Sequence, residues 1–463
     1  MSAQADGDGP KDDDASQGEC LNMMDFSQPM ANTVSGAMEG AQGVRRVAWV
    51  SRMRVQLLGG LLASMGGPLL LRLDLLGFED ADPITRHVPN TLGGVFFAVL
   101  FGYYALRRLS VFPGIKAVGF ALPVFTVSFL LVIAAFFFLR LEYGRFQFLG
   151  GYLIAVLWFT AIMALSHRAG AQRLALIPVG FTAPMRSIEG VAWSVVENPQ
   201  SPPLGCAGVV ADLRADHPPE WQRYITDCVL SGVPVYHVKQ VRESLTGRVE
   251  IDHLSENTLG SLNPNDAYLR LKYMIDSLAA VALLVFALPM LCLIGLMIRL
   301  DSQGPALFKQ DRVGLRGSVF TMYKFRTMVD RRHDMDAREA AITQDRDPRI
   351  TRIGWFLRQT RLDELPQLIN ILKGEMSWIG PRPEAVPLSK WYEGQLPFYR
   401  YRHIVRPGIT GWAQVSQGHV ADPDKVLEKL HYDFFYVKNF SLWLDVLIVM
   451  KTVRTMLTGF GAR

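Results

Sequence analysis

The chain has 463 residues, 49% of them hydrophobic, and a formal net charge of +5 at pH 7. This length exceeds that of one typical domain, so two or three modules are expected. The apolar residues gather in long runs, which argues against a wholly soluble protein. No CxxC pair is present, so neither a zinc site nor a disulfide framework is expected for Cys20, Cys206, Cys228 and Cys292.

The first 44 residues are polar and rich in Gly, Ser and Asp, with three consecutive aspartates at 12–14. Such a composition buries too little apolar surface to fold. It also lacks the apolar stretch of a cleavable signal peptide. We therefore expect residues 1–44 to be a disordered cytosolic tail.

Between 45 and 173 the sequence contains four apolar runs, each approaching the roughly 20 residues that a helix needs to cross the hydrocarbon layer. We predict a bundle of four transmembrane helices here. The runs lie at 55–71, 88–106, 117–139 and 148–165.

Loop charge predicts the orientation of these helices, because cytoplasmic loops are enriched in Lys and Arg. Arginines precede the first run, an acidic loop follows it, and basic residues follow the second and fourth runs. Arg140 and Arg145, in the third loop, depart from this pattern. We predict that both ends of the bundle are cytoplasmic.

Residues 174–265 alternate short apolar runs, at 174–179, 208–210 and 232–236, with a helical pattern at 218–230. This alternation predicts a small cytosolic α/β module with a parallel sheet. No GxGxxG follows the first strand, so we assign the module no nucleotide site.

Residues 277–298 are free of charge and contain Pro289, while basic residues flank both ends. Proline removes a helical hydrogen bond, and arms of 12 and 9 residues reach only about 18 and 14 Å, too little to cross. Because basic residues flank both ends, both ends are expected in the cytoplasm. We predict a re-entrant helix broken at Pro289, with a kinked through-span as the alternative.

From 299 to 406 there are 20 Lys plus Arg against 13 Asp plus Glu. This surface suits anionic lipid headgroups or phosphates. Within it, Asp363 and Glu364 fit a phosphorus-attacking or metal-binding pair, although acids beside a proline also suit a plain helix start. Arginines in turns rigidified by Pro and Gly suit phosphate capture, although surface turns are common. The phosphate-binding candidates are Lys324, Arg326, Arg358, Arg382 and Arg406.

Five motifs in order resemble the bacterial sugar transferase family, the monotopic polyprenyl-phosphate phosphoglycosyl transferases, over about 268–459. They are Lys-Phe-Arg at 324–326, Leu-Asp-Glu-Leu-Pro at 362–366, Gly-Pro-Arg-Pro at 380–383, Val-Arg-Pro-Gly-Ile-Thr-Gly-Trp-Ala-Gln at 405–414 and Tyr-Val-Lys-Asn at 436–439. The preceding segments resemble the long form, similar to undecaprenyl-phosphate galactose or glucose phosphotransferases. One departure is Leu288, where relatives often place serine before the helix-breaking proline.

The resemblance implies a catalytic domain at 266–463 that is mostly helical and α+β, anchored by the re-entrant helix. It implies that Asp363 attacks the β-phosphorus of a UDP-sugar and releases UMP, with Glu364 binding Mg²⁺. Undecaprenyl phosphate then takes the sugar-phosphate. Asp445 is a weaker candidate for the same pocket, with a helix N-terminal acid as the equal alternative.

We therefore predict an enzyme of the bacterial inner membrane that acts at the cytoplasmic face and begins exopolysaccharide, capsule or O-antigen synthesis. A sugar-only glycosyltransferase and a non-catalytic membrane scaffold remain rivals. Membrane lipids are expected partners, nucleic acid is not, and a homodimer is left open. The segment 440–458 suits either the membrane interface or core packing.

Overall fold

The structure is a computed structural model that describes eight ranges of the chain. They are residues 52–76, 87–112, 117–168, 172–200, 205–251, 266–329, 349–417 and 423–458. The predicted tail at 1–44 lies outside these residues.

The four predicted N-terminal helices are present as a bundle: α1 (Met53–Leu76), α2 (Val88–Leu109), α3 (Ala117–Leu139) and α4 (Arg145–Arg168). Phe125 and Phe159 stack at the centre, with ring centroids 4.7 Å apart. Glycine lets α1 approach α4 closely, since a Cβ at Gly60 would lie 2.6 Å from the Phe159 ring. The bundle therefore packs through small residues set against aromatic rings.

The following module contains the predicted parallel sheet. Its four strands lie in the order β2-β1-β3-β4, and all neighbouring pairs are parallel. Edge strand β2 was not among the predicted strands. The elements are β1 (Gln172–Leu176), β2 (Val191–Val195), β3 (Gly208–Ala211), α5 (Pro219–Leu230), β4 (Val235–His237) and α6 (Val238–Thr246).

The predicted membrane helix of the last domain is α7 (Asp266–Asp301), 36 residues or roughly 54 Å long. It continues through Pro289 as one helix, so the predicted interruption at this proline is not observed. Only 17% of its apolar stretch is buried within the protein, which leaves a long apolar face outside. Within the described ranges, the helices long and apolar enough to cross a membrane are α2, α3, α4 and α7.

The rest of this domain is mostly helical with two small sheets, as expected for an α+β fold. β5 and β6 form an antiparallel pair, and β7 and β8 a parallel one. The elements are β5 (Leu307–Val313), β6 (Val319–Phe325), α8 (Arg352–Gln359), α9 (Leu368–Leu372), β7 (Ser377–Ile379), α10 (Val386–Gln395), β8 (Gly408–Thr410), α11 (Trp412–Ser416), α12 (Pro423–Lys438) and α13 (Leu442–Thr458).

Helix α7 contacts this one domain along most of its length. Near its start, Ala280 packs in an apolar cluster with β6 and α9. Near its end, Ile294 and Ile298 pack against Phe325 and Leu357. The same domain therefore holds both halves of the helix.

The domain also contacts the two preceding modules. Helix α13 lies on the N-terminal bundle, where the Trp443 and Tyr104 rings meet at 5.5 Å. The indole of Trp412 donates a 2.9 Å hydrogen bond to the Gly247 carbonyl, just after α6. Of the two alternatives for segment 440–458, core packing applies to the face that carries the fully buried Leu444.

Candidate active site

Asp363 and Glu364 lie on a 3-10 helix, Leu362–Gln367, that follows α8 after a sharp turn. Arg361 makes this turn with φ +60°, in the left-handed region that costs a non-glycine residue about 1–3 kcal/mol. Such backbone strain persists where surrounding structure enforces it, often at functional sites. Both carboxylates are buried, with 9% of Asp363 exposed.

Lys324 reaches the carboxylates from strand β6. Its Nζ donates a 3.1 Å hydrogen bond to Glu364 Oε1. The strand is fixed by Asn370 on α9, whose Oδ1 accepts from the Tyr323 backbone N–H at 3.1 Å and whose Nδ2 donates to the Thr321 carbonyl at 2.8 Å. A buried amide thus sets the position of Lys324 against the 3-10 helix.

Arg382 reaches the same oxygen from the Gly-Pro-Arg-Pro turn after β7, and its Nη2 donates a 3.0 Å hydrogen bond to Glu364 Oε1. This turn interlocks with the loop at β8, since a Cβ at Gly408 would lie 2.1 Å from the Gly380 nitrogen. The Gly408 N–H in turn donates to the Pro381 carbonyl at 3.0 Å. Glycines in both motifs therefore permit a contact that any side chain would block.

The two carboxylates respond differently to burial. Burial raises the pKa of Asp363, and the adjacent Glu364 charge adds to this, while Lys324 and Arg382 act to lower it. Burial also opposes ionisation of Glu364, but Lys324, Arg382 and Arg361 outweigh it and hold its pKa below the usual range. Glu364 is thus a firmly held anion, and Asp363 Oδ1 is buried without a hydrogen bond.

A small pocket opens beside this pair. Its lining includes Arg312, Lys324 and Arg382, so three cations converge on it. Burial lowers the pKa of Arg312 to about 10, which leaves it charged at neutral pH. Such a set of fixed donors is suited to oxygens of a phosphate or diphosphate.

The other predicted phosphate ligands lie elsewhere. Arg326 binds the C-terminal end of α7, where its Nη2 and Nη1 donate to the carbonyls of Ser302 at 2.7 Å and Gln303 at 2.8 Å. Arg358 Nε donates to the Thr327 hydroxyl at 2.9 Å. In this arrangement the Arg326 fork serves exposed carbonyls at a helix end rather than the pocket.

Arg406 lies against the membrane helix. Its guanidinium stacks on the Tyr273 ring of α7, 3.6 Å from the ring centroid. Gly374, whose φ is +76°, also lies close to it, since a Cβ there would be 3.3 Å from Arg406 Nη2. The structure therefore places Arg406 at α7, apart from the contacts that surround Glu364.

Asp445 belongs to a second buried network that ties α7 to α13. Lys272 Nζ lies 2.9 Å from its Oδ2, and the hydroxyls of Tyr268 and Tyr436 donate to it at 2.6 and 2.8 Å. Asp276 completes the network and accepts from Ser377 at 2.5 Å. Of the residues predicted for the pocket, Lys324 and Arg382 line it, whereas Asp445 lies in this separate network.

Sequence reasoning missed Arg312 as part of the pocket. Its Nη1 donates to the Pro383 carbonyl at 2.8 Å, so it holds the end of the Gly-Pro-Arg-Pro turn. The available signal was register: β5 pairs with β6 antiparallel, which places Arg312 opposite Phe320 on the strand that carries Lys324.

The carboxylate pair offers few ligands for a divalent cation. Among the described residues there is no group of three or more His, Cys, Asp or Glu side chains placed to hold a metal. Mg²⁺, however, usually takes one or two carboxylates and completes its shell with water and substrate phosphates. The ionised Glu364 and the unpartnered Asp363 Oδ1 fit that pattern.

Comparison with known proteins identifies the family of the chain. Residues 267–459 match the family described as "Bacterial sugar transferase". The chain is 45% identical over 375 residues, 81% of its own length and 88% of the relative, to the UDP-N-acetylgalactosamine-undecaprenyl-phosphate N-acetylgalactosaminephosphotransferase of Aeromonas hydrophila.

Two further relatives match over the last domain. The UDP-glucose:undecaprenyl-phosphate glucose-1-phosphate transferase of Escherichia coli (strain K12) is 42% identical over 40% of this chain and 39% of its own length. The undecaprenyl-phosphate galactose phosphotransferase of Salmonella typhimurium is 37% identical over 42% of this chain and 41% of its own length. With its carboxylate pair, converging cations and these relatives, the chain belongs to the bacterial sugar transferase family.

Proposed function

We propose that the chain is an undecaprenyl-phosphate sugar phosphotransferase. It moves a sugar-1-phosphate from a UDP-sugar to undecaprenyl phosphate and releases UMP. The observation that carries this proposal is the buried Asp363–Glu364 pair, on which Lys324 and Arg382 converge at 3.1 and 3.0 Å from Glu364 Oε1. Three relatives named for such transfers support it.

The sequence favoured glucose or galactose as the sugar. N-acetylgalactosamine becomes the first sugar to test, because the relative named for it matches 375 residues, 81% of this chain, and so extends well beyond the last domain. The glucose and galactose enzymes match only about two fifths of the chain.

In the first half-reaction, a carboxylate oxygen of Asp363 attacks the β-phosphorus of the donor. The bond from that phosphorus to the oxygen bridging the two phosphates breaks, and UMP leaves with the electron pair. Lys324 and Arg382 bind the phosphoryl oxygens that gain charge in this step. Arg361 and these two cations counter the burial that raises the pKa of Asp363, and so favour the ionised nucleophile.

In the second half-reaction, a phosphate oxygen of undecaprenyl phosphate attacks the same phosphorus. The acyl-phosphate bond to Asp363 breaks, and the free carboxylate is restored. The product is undecaprenyl-diphospho-sugar. Arg406 on Tyr273 is the candidate to receive the lipid phosphate, because its guanidinium lies against α7 and its buried Nε has no hydrogen bond among the described residues.

Glu364, together with Asp363 Oδ1, would hold Mg²⁺ next to the donor diphosphate. The ion would supply charge neutralisation at the phosphate oxygens. Within the protein itself, Glu364 keeps Lys324 and Arg382 in place through their shared contacts with Oε1.

We further propose that the catalytic domain lies at the cytoplasmic face of the bacterial inner membrane. Both ends of α7 lie at that face, with the helix bent at Pro289 rather than interrupted there. Basic residues flank both ends of α7, and both halves of the helix pack on the same domain. Its outer face, which includes Phe286 and Leu300, is apolar and exposed, as lipid contact requires. This location suits the first membrane step of exopolysaccharide, capsule or O-antigen synthesis.

The direct test uses purified enzyme, undecaprenyl phosphate and a panel of UDP-sugars, with the nucleotide product identified. Multiple-turnover release of UMP that depends on both substrates is the expected result, with UDP-N-acetylgalactosamine as the first donor. UDP as the product would favour a glycosyltransferase that moves only the sugar. If neither UMP nor UDP is released with any donor, a membrane scaffold is favoured.

A further inference from the structure

Arg402 is a buried arginine that no motif singled out. It lies on the 3-10 helix Tyr399–Ile404 and is only 3% exposed. Its Nη2 donates a 2.8 Å hydrogen bond to the backbone carbonyl of Arg382. The residue thus contacts the backbone of the turn whose Arg382 side chain is a proposed phosphate ligand.

The guanidinium of Arg402 is itself firmly held. Its Nη2 lies 2.8 Å from Asp433 Oδ2 on α12, and its Nη1 donates to the Tyr399 hydroxyl at 2.8 Å. Glu384 lies 3.9 Å from Nη1 and is paired at 2.5 Å with Lys429. Every arm of the fork therefore has a partner, as a buried guanidinium requires.

A second arginine, the half-buried Arg312, acts on the next peptide. Arg312 Nη1 donates to the Pro383 carbonyl at 2.8 Å, and Arg402 Nη2 to the carbonyl just before it. Two consecutive carbonyls of the turn are thereby fixed by guanidinium groups on different elements. Because proline flanks Arg382 on both sides, little backbone freedom remains to redirect its side chain.

We propose that Arg402 is a positioning residue for the transfer reaction: it fixes the Arg382 backbone so that the Arg382 side chain is aimed at the reacting phosphate. Arg402 acts through Arg382 and does not itself touch the donor. The inference rests on the proposed function of Arg382 as a phosphate ligand. Lysine at position 402 keeps the charge but has no planar fork to hold Asp433, Tyr399 and the Arg382 carbonyl together.

The test is a double-variant cycle on UMP release by the full-length enzyme in its membrane. Arg402→Lys is expected to lower kcat about 10- to 100-fold, the scale of a misplaced ligand. Arg382→Lys is expected to lower it by at least as much. In the Arg382→Lys background, Arg402→Lys should cost less than about two-fold more, because the residue it positions has already lost its fork.

Arg242→Lys is the matched control. Arg242 also binds a carboxylate, Glu250, at 2.7 Å, but in the α/β module, and its exchange should leave kcat unchanged. A loss of folded protein would instead lower the rate by the same factor in both backgrounds.

Wild-type kcat in Arg402→Lys, or a further ten-fold loss in the double variant, would overturn the positioning role while the proposed function stands. Wild-type kcat in Arg382→Lys would show that Arg382 is not a required phosphate ligand, and the positioning role of Arg402 would be rejected with it. Absence of UMP from the wild-type enzyme would reject the proposed function itself.

Discussion

Lys324 Nζ donates to Glu364 Oε1 at 3.1 Å across 40 residues of sequence, and this contact joins β6 to the 3-10 helix of the carboxylate pair. The lysine acts on both members of the pair. It is the main cation that lowers the pKa of Glu364, and it opposes the rise that burial causes in the pKa of Asp363. One side chain therefore helps to keep Asp363, the proposed nucleophile, ionised.

This relationship predicts a shift in the pH dependence of turnover on Lys324→Met. Removal of the cation raises the pKa of Asp363 further, so a smaller fraction is ionised at a given pH. The acid limb of the kcat profile, which follows the ionised carboxylate, should move to higher pH, and the maximal kcat should fall about 10- to 100-fold with the lost phosphate contact.

The control is Lys373→Met in the same domain, since Lys373 contacts the Tyr323 ring and hydroxyl at the surface. Its profile should match the wild type. An unmoved acid limb in Lys324→Met would contradict the electrostatic role of Lys324.

The cationic residues differ in how far their contacts could be predicted from the sequence. Lys324 and Arg382 could be predicted as phosphate ligands from the sequence. Lys324 lies at the end of a predicted strand, and Arg382 lies in a turn whose backbone is restricted by Gly and Pro. Arg326 carries the same charge in the same motif as Lys324, yet it binds the end of α7. A pattern reveals that a cation is present but not which acceptor it meets.

The same limit explains why Arg402 was missed. Arg400 and Arg402 alternate with tyrosines in one short stretch, and nothing in the sequence indicates which of the two is buried. In the fold Arg400 is exposed and Arg402 is buried. The difference arises from α12, which supplies Asp433 only once the tertiary structure has formed. The long apolar helices α1 to α4 and α7, by contrast, could be predicted, because a long helix is encoded by consecutive apolar residues.

A second prediction concerns Glu364→Gln. The substitution keeps the shape of the side chain but removes the anion on which three cations converge. Some turnover should remain, because Asp363 is intact, but half-maximal activity should require several-fold more Mg²⁺. Titration of UMP release with MgCl₂ measures this. An unchanged magnesium requirement would place the metal ligand elsewhere.

A third prediction concerns the network around Asp445. Lys272→Met leaves two buried carboxylates, Asp276 and Asp445, without their cation, which should lower the free energy of unfolding by about 3–5 kcal/mol. Adding Asp445→Asn should recover part of this loss, because one uncompensated charge is removed. Thermal unfolding in detergent reports the change.

Turnover of the folded fraction should stay near the wild-type value in both of these variants, since the network contacts α7, β7 and α13 rather than the pocket. A ten-fold rise in KM for the UDP-sugar in Asp445→Asn alone would instead return Asp445 to the substrate site.

A fourth prediction concerns the two ends of α7. Single cysteines at the exposed positions Arg270 and Arg299, in a cysteine-free background, should react alike with a membrane-impermeant maleimide. Both should be protected in spheroplasts and labelled in inverted vesicles, because both halves of the helix pack on one domain. Glu142→Cys, in the loop between α3 and α4, serves as the control for the opposite face. Labelling of positions 270 and 299 from opposite sides would establish a through-span.

The most direct measurement asks whether Asp363 becomes covalently modified. The enzyme is mixed with UDP-N-acetylgalactosamine in the absence of undecaprenyl phosphate, quenched and analysed by peptide mass spectrometry, with Asp363→Asn as the control. The account predicts a sugar-phosphate mass on the Asp363 peptide that disappears when undecaprenyl phosphate is added. An unmodified Asp363, in enzyme that makes product from the same donor once the lipid is supplied, would contradict it.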